Sequence, residues 1–288
     1  MMNSGIIYAI LAAFAFSIQN VIVKELSLTM GTGEIAFFRG LISSIFILAL
    51  MHIHNIQFSK HDRPTLIFRG VIGATGMICV FYALKGMPLA DVSILSQLSA
   101  FFVIIFAAIF LREVLPHHAT YPLLIIVVGA CLVIRPWNFS SFNSYSLLVL
   151  TQAVCVAAAY TTISSLTHSG RHHQYEIVMY FLVSATISGI LLMGRDFIWP
   201  NMHEWLLVLG MGIITVLAQI WMTNSYAFGN PVIVTFVAYI GVFFNAVWGY
   251  VIFDEMLTKL TILGGIFIIG GTMYLTKLKY DKINFEKK

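Results

Sequence analysis

One arginine stands inside an otherwise apolar stretch of the chain. Arg39 lies within residues 35–52, about one turn from the start of that stretch. A charged side chain is costly in hydrocarbon, so a charge at that depth indicates a functional role. The planar guanidinium fork binds a carboxylate or a phosphate through two hydrogen bonds. A structural role is also open, in which Arg39 reaches toward water or pairs with Glu34 or Glu25.

Uncharged polar residues recur at matched positions 142 residues apart. Ser93 is matched by Thr235, and Gln97 by Tyr239. Ser93 and Gln97 are spaced i, i+4 in one stretch, and Thr235 and Tyr239 have the same spacing in the other, which places each of these two pairs on one face of a helix. Such groups bind a polar ligand without the cost of a buried charge, so these four are the leading candidates for a substrate site. Hydrogen bonding between neighbouring helices is the alternative.

Further polar and aromatic residues lie deep in apolar stretches. Asn20 and Gln219 offer amide groups, and Tyr160 offers a hydroxyl group. Tyr82 has a matched partner, Tyr226, in the later part of the chain. We add Asn20, Tyr82, Tyr160 and Gln219 to the candidate substrate contacts. Because aromatic residues make up 14% of the chain, packing explains most of them.

Catalytic and metal-binding patterns do not emerge from the sequence. It contains no Gly-x-Ser-x-Gly, His-Glu-x-x-His or P-loop motif. His168 and His172 have ligand spacing, but they fall in a predicted connection, where we expect surface side chains. Glu113 and Glu255 each end an apolar stretch. They are either gate or coupling carboxylates, or helix-end residues that pair with Arg112 or Lys259 or cap the next helix. We therefore predict no enzyme, no catalytic residue, no metal site and no cofactor.

The composition of the chain indicates that these candidate residues lie on helices that cross a membrane. Of the 288 residues, 59% are hydrophobic and 10% are charged, and the mean hydropathy is +0.91. A soluble domain has about 25% charged residues, whereas a membrane-spanning helix needs about 20 apolar ones. The sequence predicts an all-α membrane protein with ten transmembrane helices, at 5–23, 35–52, 66–84, 91–111, 119–134, 145–167, 176–193, 205–224, 231–253 and 258–276.

Basic residues in the connections predict the orientation. With a cytoplasmic N-terminus, ten Lys and Arg residues, Arg69 among them, fall on the cytoplasmic side and five on the other. Since basic residues favour the cytoplasmic side, we predict an inner (plasma) membrane protein with both termini in the cytoplasm. The net charge of only +4 gives no footprint for nucleic acid. The expected partners are the lipid bilayer and a small-molecule metabolite, with the protein a monomer or a homodimer.

The chain is similar to itself when it is shifted by 142 residues. Glu34 then falls on Glu176, and Gly129 falls on Gly271. Five predicted spans in each half is an odd number, which would place the two halves in opposite orientations, as an inverted repeat. The sequence therefore predicts two five-helix repeats and a basic cytoplasmic tail, at 5–135, 146–276 and 277–288.

Several short motifs match a known family. They are Phe37-Phe38-Arg39-Gly40, Tyr82-Ala83-Leu84, Pro88-Leu89-Ala90, Arg112-Glu113 and Asp254-Glu255. With these motifs the chain resembles the ten-span EamA branch of the drug/metabolite transporter superfamily. The resemblance implies an inner-membrane carrier that works by alternating access, as an exporter or an exchanger. It would carry a small polar or amphipathic metabolite, such as an amino acid, an organic anion or a nucleoside-like compound.

Other functions stay open beside this resemblance. A flippase for a lipid-linked headgroup is the first alternative, and an intramembrane enzyme or a non-transporting scaffold comes after it. One departure from the superfamily matters for mechanism. Its four-span small multidrug members carry a carboxylate in the middle of the first span, whereas residues 12–20 contain none. The resemblance therefore does not imply proton-coupled export of cations.

Overall fold

The structure is a computed structural model that describes residues 2–59, 61–110, 120–135, 144–168, 170–194, 197–229, 234 and 237–286. Within these ranges the chain forms helices joined by turns, without a strand. In chain order the helices are α1 (Met2–Leu26), α2 (Thr32–Ile53), α3 (Arg63–Gly86), α4 (Leu89–Ser96), α5 (Leu98–Phe110), α6 (Thr120–Ile134), α7 (Tyr145–His168), α8 (Gln174–Met193), α9 (Met202–Phe228), α10 (Ile240–Phe253) and α11 (Lys259–Glu286).

Helix length and composition make this a multi-pass membrane protein. Six of the described helices are long and apolar enough to cross a membrane, namely α1, α2, α3, α7, α8 and α9. Four shorter apolar helical segments accompany them: Leu89–Val103, Thr120–Ile134, Ile240–Phe253 and Lys259–Leu275. The predicted all-α membrane class is confirmed, while the count of ten spans stays a prediction.

Two antiparallel helices, α2 and α8, form the most extensive contact in the molecule. Gly33 of α2 lies against Met193 near the end of α8, and Gly189 of α8 lies against Phe37. A Cβ atom added to Gly189 would stand 2.4 Å from the backbone nitrogen of Phe37, so only glycine permits this approach. The close contact fixes which residues in the middle of α2 and α8 face each other.

Helices α3 and α9 each pack on both members of this pair, and the other helices pack mainly on these two and on one another. Helix α1 packs on α9 and α10, and helix α7 packs on α3, α4 and α5. Helices α6 and α11 pack on each other at the periphery. Helix α11 continues without a break from the predicted last span through Glu286, so the described part of the basic tail is helical.

Candidate functional site

A chain of polar side chains connects three helices at depth. The Asn20 amide on α1 donates to Oδ1 of Asn245 on α10 at 3.1 Å. Nδ2 of Asn245 in turn lies 3.3 Å from the Ser93 hydroxyl on α4 and 2.7 Å from the carbonyl oxygen of Gly241. Two predicted residues, Asn20 and Ser93, therefore meet through a third that we had missed. Asn245 is the one amide side chain in the stretch 231–253, and that was the available signal.

Gln97 and Tyr239 each lie at a tightened turn at the end of a helix. Gln97 separates α4 from α5, and the N–H of Ala100 donates to its carbonyl oxygen at 3.1 Å. Tyr239 precedes α10, and the N–H of Val242 donates to its carbonyl oxygen at 3.0 Å. Both are i to i+3 bonds, which tighten the helix, and such turns inside a helix often mark functional hinges.

The side chains at these two turns have different surroundings. Gln97 is half-buried. Tyr239 is buried, and its hydroxyl lies beside Thr272 of α11. The remaining candidates are more scattered. Gln219 is buried in α9, Tyr82 is half-buried in α3, and Thr235 lies outside the described residues.

Arg39 is fully enclosed at the α2–α8 contact, with 1% of its surface exposed. Its Nε donates to the Thr215 hydroxyl at 3.1 Å, and Nη2 lies 3.3 Å from Oε1 of Gln19. The guanidinium also stacks on the rings of Phe81 and Phe181, at 5.5 and 5.3 Å from their centroids. Among the described residues no carboxylate lies within ion-pair distance of Arg39.

A second buried arginine faces the same aromatic ring. Arg69 has 4% of its surface exposed, and its guanidinium lies 4.8 Å from the centroid of Phe181. Its Nε and Nη1 have no hydrogen-bond partner within the described residues. Gly73 makes room for it, since a Cβ atom there would stand 2.1 Å from Nη1 of Arg69. Tyr160 of α7 lies close enough to Arg69 for an electrostatic interaction, and it packs on Tyr226.

Arg69 corrects the sequence analysis, which counted it among the basic residues of the connections. Helix α3 begins at Arg63, so Arg69 lies in the second turn of the helix rather than before it. The predicted third span, 66–84, did contain this residue. A cation inside a predicted span was the signal that could have identified it.

The glutamate that ends α10 joins three helices at one end of the bundle, which we call the lysine end. Glu255 forms an ion pair with Lys24 of α1, and its Oε2 accepts from the backbone N–H of Leu89 at 2.8 Å. Lys24 also donates to the carbonyl oxygen of Met87 at 2.8 Å. Glu255 thus pairs and caps, but its partner is Lys24 rather than Lys259, and the helix that it caps is α4 rather than the next one. Glu113, its matched residue, lies outside the described residues.

Matched glutamates close the two ends of the α2–α8 pair. At the lysine end, Glu34 accepts from the backbone N–H groups of Gly31 and Ile198. At the opposite end, which we call the histidine end, Glu176 accepts from the N–H of Ser59 at 2.7 Å. Each glutamate therefore holds the loop that joins the partner helix to the next one. Neither is available to balance the charge of Arg39.

The histidine end contains a buried side chain that we had expected at the surface. The ring of His172 is completely enclosed, with Nδ1 at 3.0 Å from Glu176 and Nε2 at 3.5 Å from Asp62. A carboxylate oxygen lies beside each ring nitrogen, so whichever nitrogen carries the proton has an acceptor in the buried site. Within the described ranges, no three His, Cys, Asp or Glu side chains are placed to hold a metal ion.

Comparison with known proteins places this arrangement among transporters. The sequence profile of the EamA-like transporter family matches residues 3–135 and again residues 143–277. The pseudopaline exporter CntI of Pseudomonas aeruginosa is 41% identical over 280 residues, which cover 97% of this chain and 98% of the exporter.

More distant relatives are transporters as well. The riboflavin transporter of Brucella anthropi is 25% identical and matches 84% of this chain and 87% of its own length. The S-adenosylmethionine uptake transporter of Rickettsia felis is 22% identical, with 94% and 92% covered. One crystal structure superposes with a TM-score of 0.68 at 16% identity, covering 98% of this chain and 99% of that one, which shows a shared fold.

Proposed function

The chain belongs to the EamA-like transporter family, and we propose that it exports a small polar metabolite by alternating access, with the substrate bound between its two family-matched segments. Membership confirms the predicted drug/metabolite transporter resemblance. It also makes the protein a transporter rather than an enzyme, as the motifs had suggested. The direction, the substrate and the site residues are the parts that we propose.

The observation that carries the proposal is the polar chain Asn20–Asn245–Ser93. Two of its members come from the first matched segment and one from the second. Hydrogen bonds between helices in a membrane contribute only about 0.6–2 kcal/mol each, so a ligand can replace them at small cost. A polar contact that crosses between the segments is therefore suited to be broken and remade when the segments move.

The tightened turns at Gln97 and Tyr239 support the same proposal. They lie at matched positions of the two segments, next to the polar chain along α4 and α10. We propose that both side chains contact substrate and that the helices bend at these points. Thr235, Tyr82, Tyr160 and Gln219 remain proposed contacts on the strength of the sequence.

The packing pattern supports movement of one segment against the other. Helices α2 and α8 run antiparallel, and their glutamates hold each other's loops. We infer an inverted repeat from this reciprocity, with bounds near 5–135 and 146–276. We further propose an inner-membrane location with cytoplasmic termini, because more basic residues fall on that side of the predicted topology.

Pseudopaline is the first substrate to test, since the protein that is 41% identical exports it. Liposomes that contain the purified protein and are loaded with pseudopaline should release it faster than loaded liposomes without the protein. Gln97→Ala and Tyr239→Ala should each slow release several-fold while the folded yield stays near wild type, since one lost hydrogen bond costs about 1 kcal/mol. Release at the rate of protein-free liposomes would reject pseudopaline as the substrate. Wild-type rates in both variants would reject Gln97 and Tyr239 as substrate contacts.

A further inference from the structure

Two arginines are buried in the membrane-spanning part of the protein without a counter-ion from the described residues. Arg39 and Arg69 are each at least 96% buried, and both guanidinium groups face the ring of Phe181. Every ion pair recorded in the described residues lies at the lysine end or the histidine end. Two uncompensated cations in one buried region are unfavourable until negative charge is supplied.

The available donors point to where that charge binds. Nε and Nη1 of Arg69 are buried and have no partner among the described residues. Arg39 uses one donor on the sulfur of Met77, which is a weak acceptor. A carboxylate accepts from a guanidinium through two parallel hydrogen bonds, and it is a far better partner for either arginine than the groups present.

The position of Phe181 sets the shape of the ligand. Its ring lies 5.3 Å from the guanidinium of Arg39 and 4.8 Å from that of Arg69. Arg39 lies in the second turn of α2, counted from the lysine end, whereas Arg69 lies in the second turn of α3, counted from the histidine end. The two cations therefore stand at different depths, with an apolar ring shared between them.

From this geometry we propose that Arg39 and Arg69 form one binding site for a dicarboxylate, with one carboxylate on each arginine and the connecting carbons against the ring of Phe181. The proposal rests on the proposed function, because it takes this ligand to be the substrate or a part of it. A monocarboxylate supplies one two-oxygen acceptor, whereas a ligand with two carboxylates supplies one to each arginine. Thr215 and Gln19 orient the guanidinium of Arg39 by accepting from Nε and Nη2, and a carboxylate would replace the weak sulfur acceptor on Nη1.

The test is thermal unfolding of the purified full chain with succinate, glutarate or adipate, at constant ionic strength. A ligand that binds the folded state raises the unfolding temperature in a concentration-dependent way. At least one of these dicarboxylates should stabilise the wild type, whereas acetate and chloride should not. Equal stabilisation by acetate or chloride, or none by any dicarboxylate, would overturn the proposal.

Variants assign the effect to the two arginines. Arg39→Met and Arg69→Met should each weaken the apparent affinity for the dicarboxylate more than tenfold. Arg63→Met is the matched control, because Arg63 is exposed on the same helix as Arg69 and should bind as the wild type does. An unchanged affinity in Arg69→Met would overturn the proposal. If Arg69→Met and Arg69→Gln both fail to fold, Arg69 is a structural brace and the proposal is equally wrong.

The outcome separates this inference from the proposed function. Liposomes that release pseudopaline while no dicarboxylate stabilises the protein would leave the transport function standing and remove the dicarboxylate site. Dicarboxylate binding that depends on both arginines, without release of pseudopaline or of the bound dicarboxylate from liposomes, would establish the site and reject transport.

Discussion

The ends and the middle of the α2–α8 pair use their matched residues in different ways. At the ends, Glu34 and Glu176 are the same residue and do the same work, each accepting a backbone N–H from a loop of the other segment. In the middle, Arg39 of the first segment faces Phe181, which is its matched residue in the second. Identical residues thus close the ends, and unlike residues meet at the centre.

The difference indicates where the two segments share a structural task and where they divide a functional one. A loop that must be held at each end calls for the same acceptor twice. A ligand that is not itself symmetric needs unlike groups around it, and a cation on one helix with an aromatic ring on the other provides them. The second cation, Arg69, also belongs to the first segment, so both described cations that face Phe181 come from that segment.

The largest loss of stability is expected from a substitution that prevents the close contact between α2 and α8. Gly189→Ala places a methyl group 2.4 Å from the backbone of Phe37, which cannot move without displacing α2. Overpacking of this kind costs about 1–3 kcal/mol or more. We expect the unfolding temperature and the folded yield to fall clearly, measured by thermal unfolding and size-exclusion chromatography.

Gly210→Ala is the control for that experiment. No described atom of another helix lies within 4 Å of the Cβ that it would add. Alanine is favoured over glycine inside a helix by about 0.5–1 kcal/mol, so Gly210→Ala should be neutral or slightly stabilising. If both alanine variants behave alike, the close approach of α2 and α8 does not hold the ends and the middle in place.

Much of this arrangement could be predicted from the sequence, for identifiable reasons. Long apolar stretches predict helices because a membrane-spanning segment must satisfy its own backbone. Arg39 stood out because it is a charge well inside such a stretch. Arg69 was missed because it lies near the start of its predicted span, where a charge looks like part of the connection. The helix begins at Arg63, which carries Arg69 into the interior.

Partners were harder to predict than positions. Asn20 and Asn245 are 225 residues apart, and nothing local indicates that they meet. The burial of His172 depends on two carboxylates, Asp62 from another helix connection and Glu176 one turn further on. We also expected Glu34 or Glu25 to be the possible partner of Arg39, but Glu34 is used by backbone N–H groups. Tertiary packing determines which of these side chains pair with each other, and a single sequence does not reveal that packing.

A smaller effect should separate the two ends from each other. Both carboxylate oxygens of Glu34 accept from backbone N–H groups, so Glu34→Gln would turn an NH₂ group toward an N–H donor. An unsatisfied buried donor costs about 1–3 kcal/mol. Glu176→Gln can instead keep its carbonyl oxygen on Ser59 and donate its NH₂ to Nδ1 of His172, with the ring proton on Nε2 beside Asp62. We expect the unfolding temperature to fall more in Glu34→Gln than in Glu176→Gln.

His172→Phe tests the reason for that difference. It removes the ring nitrogen that accepts from the glutamine, so Glu176→Gln in the His172→Phe background should lose its advantage over Glu34→Gln. An equal or larger loss of stability in Glu176→Gln alone would show that the two ends are held in the same way. The comparison would then distinguish only the middle of the pair.

The smallest effect is expected in the middle, from a change that moves Arg69 without removing it. In Gly73→Ala the new methyl group would stand 2.1 Å from Nη1 of Arg69, at the free end of a flexible side chain, and 3.0 Å from Cδ2 of Phe181. The guanidinium must therefore shift and the ring must give by a few tenths of an ångström, while the helices stay in place. We expect the apparent affinity for a dicarboxylate to fall about two- to tenfold, up to about 1.4 kcal/mol, measured by thermal unfolding against ligand concentration. The stability without ligand should change little, because alanine favours the helix.

Gly270→Ala in α11 is the control, since no described atom of another helix lies within 4 Å of the Cβ that it would add, and it should leave the affinity unchanged. A full-affinity Gly73→Ala would mean that the exact position of Arg69 is unimportant, and the central asymmetry would then rest on Arg39 and Phe181 alone.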